Sequence, residues 1–290
     1  MKRILSVLFI ACVALLFASC QKEGVYNPSK KISKIYFTNY SGVKTLKQVW
    51  TWNKDNTLEK IDYYTNGSID YTYNFTYEKK RLVRMNYYAA NSYIEYKYDK
   101  NTLKEVNNYV GGTLIDAYTF TYKNGKIVKV TDTWMGAKAA VENAINPLQF
   151  ILSEELSEAI DQSQKRMGNV GGKGTLVYNY ELTWDKDNVS KMVTTLEGSS
   201  ETSTYELSYD KKNNPYYHAY INFYFEDNAS DGYLSKNNIT RVELRNVEED
   251  GDVWTGVSNY EYTYEGKYPV SRRYTDSYGN TELIEYEYIK

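Results

Sequence analysis

The chain is short of the residues that build most catalytic and metal centres. It has one histidine, His218, and two cysteines, Cys12 and Cys20. So few thiols and imidazoles exclude thiolate-based metal sites and His-rich zinc or copper sites. Proline is rare, with 4 residues. Positive charge is not in excess: 35 Lys and Arg face 37 Asp and Glu, a formal balance of −2. That balance argues against nucleic acid as a partner, which needs a concentrated basic face. The one long apolar run, Ile4 to Phe17, is shorter than the about 20 residues a helix needs to cross a bilayer. Tyrosine is the abundant residue, with 33 copies against 8 Phe and 5 Trp. Its ring favours half-buried strand surfaces, while its hydroxyl needs water or a partner.

The N-terminus carries an address. Lys2 and Arg3 precede an apolar run broken only by Ser6, and small Ala18-Ser19 stand directly before Cys20. This is the order of regions in a secretory signal. Phe17-Ala18-Ser19-Cys20 resembles a bacterial lipobox, which implies that Cys20 is lipidated on sulfur and becomes the new N-terminus. The other reading is an ordinary cleaved signal with a chance cysteine. The expected organisation is a signal peptide over residues 1–19, the lipidated cysteine and a tether over 20–31, and one domain over 32–290. Cleavage discards Cys12, so no internal disulfide remains. It also removes Lys2 and Arg3, leaving 33 basic against 37 acidic groups.

The domain is organised by a repeat. Trp52-Asn-Lys-Asp-Asn-Thr-Leu58, Tyr77-Glu-Lys-Lys-Arg-Leu82, Tyr98-Asp-Lys-Asn-Thr-Leu103 and Tyr122-Lys-Asn-Gly-Lys-Ile127 are variants of one unit. Trp184-Asp-Lys-Asp-Asn-Val189, Tyr209-Asp-Lys-Lys-Asn-Asn-Pro215 and Tyr264-Glu-Gly-Lys-Tyr-Pro269-Val270 follow after a gap. Aromatics alternate with polar residues on the way into each unit, as in Tyr71-Thr-Tyr73-Asn-Phe75-Thr-Tyr77. Period-2 alternation puts the rings on one face of a strand with one wet side. Asn, Asp, Lys and Gly supply the turn, and Asn124-Gly125 is the strongest hairpin signal. The expected fold is all-β: an antiparallel meander of repeated hairpins, curled into a barrel or strongly curved sheet. One interruption, at about 135–174, places Val141, Ile145, Leu148, Leu152, Leu156 and Ile160 at helical spacing. It reads as a two-helix insert with a glycine-rich exit.

The repeated units resemble the tyrosine–aspartate (YD) repeats of bacterial surface and toxin-shell proteins. With the lipobox and the stretch around Tyr26-Asn27-Pro28, the chain resembles a family of uncharacterised Bacteroidetes lipoproteins. That resemblance implies a porin-like antiparallel β-barrel and no established activity. A membrane-spanning barrel is not expected, because such barrels confine aromatics to girdles beside an outward aliphatic band. Here tyrosine recurs along the strands, with charge on the opposite face.

No constellation reaches a catalytic or metal signature, and no cofactor is expected. Asn53-Lys-Asp55-Asn56 and Asp185-Lys-Asp187-Asn188 space oxygen ligands as calcium loops do, but lack the continuation of an EF-hand and read as turns. Gly168 to Thr175 lacks the Lys-Ser or Lys-Thr of a phosphate loop. Glu154 and Glu155 are adjacent on the expected helix and point apart. His218, read in a strand among aromatics, has no nucleophile motif beside it and reads as structural. Tyr63-Tyr64, Tyr87-Tyr88 and Tyr216-Tyr217 each put one ring on either face of a strand, so one of each pair is expected on the outer face or against an insert. Surface rings beside Asn, Asp and Lys make a platform for glycan or peptide.

The functional expectation is a lipid-anchored cell-envelope protein at the outer membrane, with its periplasmic or cell-surface face open. It is read as a non-enzymatic binding module for glycan or protein. The alternatives are a structural or assembly partner in an outer-membrane complex, or a hydrolase. An aromatic strip on the surface would favour glycan, an apolar patch a protein partner, and converging carboxylates in a cleft the hydrolase.

Overall fold

The computed structural model describes residues 23–87, 91–135, 175–219, 234–275 and 281–290. They form sixteen strands: β1 Ile32–Thr38, β2 Lys44–Trp52, β3 Leu58–Thr65, β4 Ser68–Glu78, β5 Arg81–Asn86, β6 Tyr93–Asp99, β7 Thr102–Val110 and β8 Thr113–Lys123, then β9 Lys126–Trp134, β10 Leu176–Asp185, β11 Asn188–Leu196, β12 Thr202–Tyr209, β13 Ile239–Val247, β14 Val253–Glu265, β15 Tyr268–Thr275 and β16 Thr281–Tyr288. Each strand pairs antiparallel with its sequence neighbours, and β1 pairs with β16, so the meander closes into a barrel. Closure leaves none of the sixteen described strands with an edge open for pairing with another chain.

Alternation fixes the two faces. On β10, Tyr178, Tyr180 and Leu182 are buried, while Glu181 and Thr183 are exposed. The inward set across the barrel is aliphatic and aromatic and forms one core cluster. The outward set is polar, with ion pairs along the wall: Lys34–Glu287 at 3.6 Å, Lys97–Glu105 at 2.8 Å and Arg241–Glu243 at 2.7 Å.

The turns after the even-numbered strands β2 to β14 all lie at one rim, together with the start of β1 and the end of β16. Every repeated unit of the sequence is therefore a turn at this rim. Each unit's aromatic anchor ends an even strand and reaches the neighbouring odd strand that precedes it. Trp52 Nε1 donates to Ile32 O at 2.8 Å, and Tyr98 to Leu82 O at 2.7 Å. Tyr122 donates to Leu103 O at 2.8 Å, Trp184 Nε1 to Ile127 O at 2.6 Å and Tyr209 to Val189 O at 2.6 Å. Tyr288 closes the ring on Pro269 O at 2.7 Å, and Tyr77 hydrogen-bonds the Leu58 backbone. In the β14 unit Tyr262 takes the part, donating to Ile239 O at 2.8 Å. The turns join even strands to odd strands ahead of them, and the aromatic clasps tie them back to the strands behind.

A β-bulge accompanies the clasp. Register shifts fall next to Trp52, Tyr77, Tyr98, Tyr122, Trp184, Tyr209 and Tyr264. The extra residue explains why inward residues of the return strand stand three apart, as Leu58 and Ile61 or Leu103 and Val106 do, before period 2 resumes. Replacing Tyr98 and Tyr288 together by Phe leaves two half-buried carbonyls without their phenol donors. The expected loss is about 2 kcal/mol, at roughly 1 kcal/mol per hydrogen bond and nearly additive for distant sites. The urea midpoint should fall with an unchanged slope; an unmoved midpoint would show the clasps to be energetically idle.

Residues 23–31, the described part of the expected tether, are hydrogen-bonded to the clasped rim. Leu82 N donates to Gly24 O at 2.8 Å and Glu23 N to Asn101 O at 3.0 Å. Gly24 has φ +75°, and a Cβ there would overlap the Tyr98 hydroxyl, so glycine is required. Tyr26 is buried against Trp52, with its hydroxyl donating to Pro215 O at 2.6 Å. The two-helix insert expected at 135–174 lies outside the described residues apart from Met135, as do residues 1–22 with Cys20. Among the described residues there is no helix.

Candidate functional site

The barrel interior changes character along its axis. At the clasped rim the odd strands begin with Leu103, Ile127, Val189 and Ile239, followed inward by Val106, Val130, Met192 and Val242. Toward the opposite, far rim the same strands present Asn108, Asp132, Thr194 and Asn246, all at most 1% exposed. The even strands add Gln48, Asp116, Ser203 and Glu282 at that depth. Arg272 is the exception among the apolar rows, buried with its guanidinium 5.3 Å from the Tyr260 ring centroid. Burial of so many polar groups requires partners. Ser203 and Asn246 bond each other on adjacent strands at 2.6 Å, and Trp50 Nε1 donates to Gln48 Oε1 at 2.7 Å.

The chemically distinctive group is a buried carboxyl pair. Tyr118 stands opposite Asp132 across the β8–β9 ladder, and Asp116 lies two residues earlier on the same inward face. Tyr118 donates to Asp116 Oδ2 at 2.6 Å. Burial pushes the Asp116 carboxyl well above the usual carboxylate range, and the neighbouring Asp132 adds to the rise. Burial also lifts Asp132, to about 6, against hydrogen bonds from Asp116 and Tyr118 that lower it. Two like charges at one desolvated site cannot both ionise cheaply, so the pair shares a proton. The Tyr118 and Tyr180 phenols are held neutral by burial and by the same carboxyls. Tyr87 extends the polar layer by donating to Asn108 Oδ1 at 2.9 Å. This arrangement can store and release a proton. With Asp116 at 0% and Asp132 at 1% exposure, it is not an open cleft of the kind a glycosidase uses.

The far rim differs on its outside too. Among the described residues, the strongly exposed large apolar side chains are Tyr40, Val43, Ile69, Met135, Val253, Val257 and Ile289. The first five lie in or beside the connections of the far rim, and Val257 lies four residues further along β14. Glu248, Glu249, Asp250 and Asp252 make the β13–β14 turn of this rim acidic. The clasped rim is closed instead: Tyr216 packs on Trp50 and Tyr286 at 6.2 Å from each, alongside the bound Tyr26. Asp210 accepts from Lys212 N, Asn238 and Tyr264 in the same layer. Glu23 accepts from Leu103 N at 2.5 Å and Tyr122 at 2.7 Å, and burial raises its carboxyl despite both bonds.

Of the residues singled out from sequence, Tyr63 and Tyr87 point into the core, and Tyr64 stands half-buried on the other face of β3. Tyr88 lies outside the described residues. Tyr216, Tyr217 and His218 are in the loop after β12 and not in a strand. The Asn214 side chain turns the chain by accepting from Tyr216 N at 2.9 Å, and His218 has φ +64°, which no strand accommodates. Burial lowers the His218 imidazole to about 4, so it is neutral, with its ring 3.8 Å from that of Tyr217. Asp55 and Asp187 serve their turns: Asp55 accepts from Thr57 N and Oγ1, and Asp187 pairs with Lys236 at 3.2 Å. Among the described residues no group of three or more His, Cys, Asp or Glu could hold a metal ion. Glu154, Glu155 and Gly168 to Gly174 lie outside the described residues. The aspartate pair is the feature sequence reasoning missed. Its signal was available, because Asp116 shares the inward parity of Tyr118, Phe120 and Tyr122.

These features define a closed, all-antiparallel barrel with a charged wall, an apolar clasped end and a polar far end. The wall is not that of a bilayer-spanning barrel, which presents an outward apolar band about 25 Å tall. The fold is shared with a porin-like protein from Bacteroides vulgatus: 10% identity, TM-score 0.53, covering 90% of this chain and 99% of that one. A porin-like protein from Bacteroides uniformis aligns at 10% identity and TM-score 0.47 over 89% of this chain and 98% of its own. No protein-family model and no curated protein matches the chain.

Proposed function

We propose that the chain is a lipid-anchored cell-envelope protein, held at the outer membrane through Cys20, whose far rim binds a protein partner. The observation that carries this reading is that five of the seven strongly exposed apolar side chains among the described residues gather at the rim opposite the bound N-terminal segment, while Ile289 lies at the clasped rim and Val257 on the wall. Scattered surface apolar residues need no explanation, but a set gathered at one end of a barrel whose wall is ion-paired favours a contact surface. The tyrosines that suggested a glycan platform are spent mostly on the core and on the clasps. The surface there is aliphatic and acidic instead. A partner with an apolar centre and a basic border fits it.

A photo-crosslinking residue at Ile69 or Val253, in intact envelopes, should give one discrete adduct, while the same residue at wall position Thr204 gives none. Equal labelling from all three positions would remove the far rim from consideration. The glycan reading keeps one specific support: the Tyr93–Tyr109 ring stack at 4.6 Å on the outer face, with Arg84 3.5 Å over Tyr93. A glycan array with the mature chain tests it, and binding lost on Tyr93→Ala would transfer the assignment to that stack.

A further inference from the structure

The two rims differ in charge. The clasped rim comprises residues 23–32, 52–58, 77–82, 98–103, 122–127, 184–189, 209–219, 234–239, 264–269 and 288–290. These described residues carry fifteen Lys or Arg against eight Asp or Glu, and the remainder of the β12–β13 connection, residues 220–233, adds Glu226, Asp227 and Asp231 and no Lys or Arg. The far rim's described turn at 248–252 is acidic, and its turns at 39–43, 66–67 and 111–112 carry no charge. A chain with a net charge of −2 therefore concentrates its positive charge at one end. Lys54, Lys79, Lys100, Lys123, Lys186 and Lys267 are exposed, one from each of six successive or near-successive hairpin turns.

Backbone conformation separates the rims independently. At the far rim, the described residues with positive φ are all Gly or Asn, among them Asn66, Gly67, Asn91, Gly111 and Gly251. Those are the residues that tolerate left-handed backbone. At the clasped rim lysine occupies such positions: Lys79 at +50°, Lys80 at +66°, Lys100 at +53° and Lys186 at +50°. Turn chemistry alone favours Asn or Gly there. Lysine is held where it is conformationally unfavourable, and charge is what it adds.

This rim also holds the start of the described chain. Glu23 and Gly24 are hydrogen-bonded to it, and Cys20 lies three peptide steps before Glu23, a reach of about 11 Å at most. An acyl chain on Cys20 therefore brings the lysine turns to about a Debye length of the headgroups, where attraction is little screened. We infer that the clasped rim is a docking face for anionic phospholipid headgroups, and that it stands the barrel on the membrane with the far rim outward. The inference rests on the lipid-anchor reading for its orientation. The contact is electrostatic and supplements the anchor, as a polybasic patch supplements a single acyl signal elsewhere.

The test uses the mature chain carrying Cys20→Ser, which cannot be acylated, and sedimentation with vesicles of phosphatidylcholine containing about 30% phosphatidylglycerol. The expected result is binding that weakens by about tenfold or more between roughly 20 and 200 mM salt, and none to pure phosphatidylcholine. Reversal at Lys54, Lys79, Lys100 and Lys123 to Glu should abolish it. Reversal at the wall lysines Lys104, Lys129 and Lys191 should leave it within twofold. Thermal unfolding confirms that both variants fold; should the rim variant unfold, Lys→Gln at the same four positions replaces it. Binding that survives neutralisation of the rim, or no binding at low salt, overturns the inference. Acylation is read separately from the mass of the native chain, so loss of one reading leaves the other standing.

Discussion

A Cys20→Ala chain should leave the membrane fraction and partition wholly into the aqueous phase of a detergent separation. The expectation rests on the polar, ion-paired wall of the barrel. Among the described residues no helix is long and apolar enough to cross a bilayer, and the barrel wall carries ion pairs where a spanning barrel carries its apolar band. An acyl chain contributes about 0.8 kcal/mol per buried CH₂, so the proposed lipid on Cys20 would be the main source of attachment. The proposed contact of the basic rim is salt-sensitive and would be too weak to retain the protein in salt. A mutant that stays in the detergent phase would show that the cysteine is not the anchor and that the wall or the signal segment is.

Replacing Asp132 by Asn should stabilise the barrel at pH 8 and change little at pH 4. Both aspartates have folded-state values raised above those of the unfolded chain, Asp132 to about 6. A raised carboxyl favours the fold fully while protonated, below an unfolded value of about 3.9, and that contribution is lost as pH rises through the folded value. The wild type should therefore weaken between about pH 4 and pH 6, with the slope flattening above. Asparagine keeps the shape and cannot ionise, so its profile lacks the Asp132 share of this descent while burial of Asp116 leaves the other share in place. About 2 kcal/mol of gain at pH 8 is expected, since each tenfold change in an ionisation constant corresponds to about 1.4 kcal/mol and one hydrogen-bond acceptor changes character. Equal loss of stability at both pH values would mean that Asp132 is held ionised by partners and that no proton is shared.

The hairpins were legible in sequence because their causes are local. Period-2 alternation, as in Tyr118-Thr-Phe120-Thr-Tyr122, sets the faces, and Asn124-Gly125 sets the turn. The spacing of the aromatic anchors marked the repeat. What each anchor does was not legible, since its acceptor is the carbonyl of a strand one full hairpin leg earlier, as Leu103 is for Tyr122. Closure was not legible either. It depends on Ile35 facing Tyr286 across β1 and β16, a pairing without a local signature. The docking of Glu23 and Tyr26 fails for the same reason: an aperiodic segment gives no sign of what it will touch. How the tyrosines divide between core, rim clasps and surface was not legible, because that division depends on which rings point inward on even-numbered strands and which reach a neighbouring strand's carbonyl. Asp116 and Asp132 could have been found by parity, as carboxyls on the face that otherwise carries rings and aliphatics.

A closed barrel whose wall faces water, held to the membrane at its clasped end as proposed, should stay dispersed without detergent once the lipid is removed. Sedimentation velocity of the mature Cys20→Ser chain, in buffer without detergent, tests it most directly. The expected result is a single stable species with a strand-rich circular dichroism spectrum that detergent does not alter. Precipitation or polydisperse assembly, reversed only on adding detergent, would contradict it and return the wall to the bilayer.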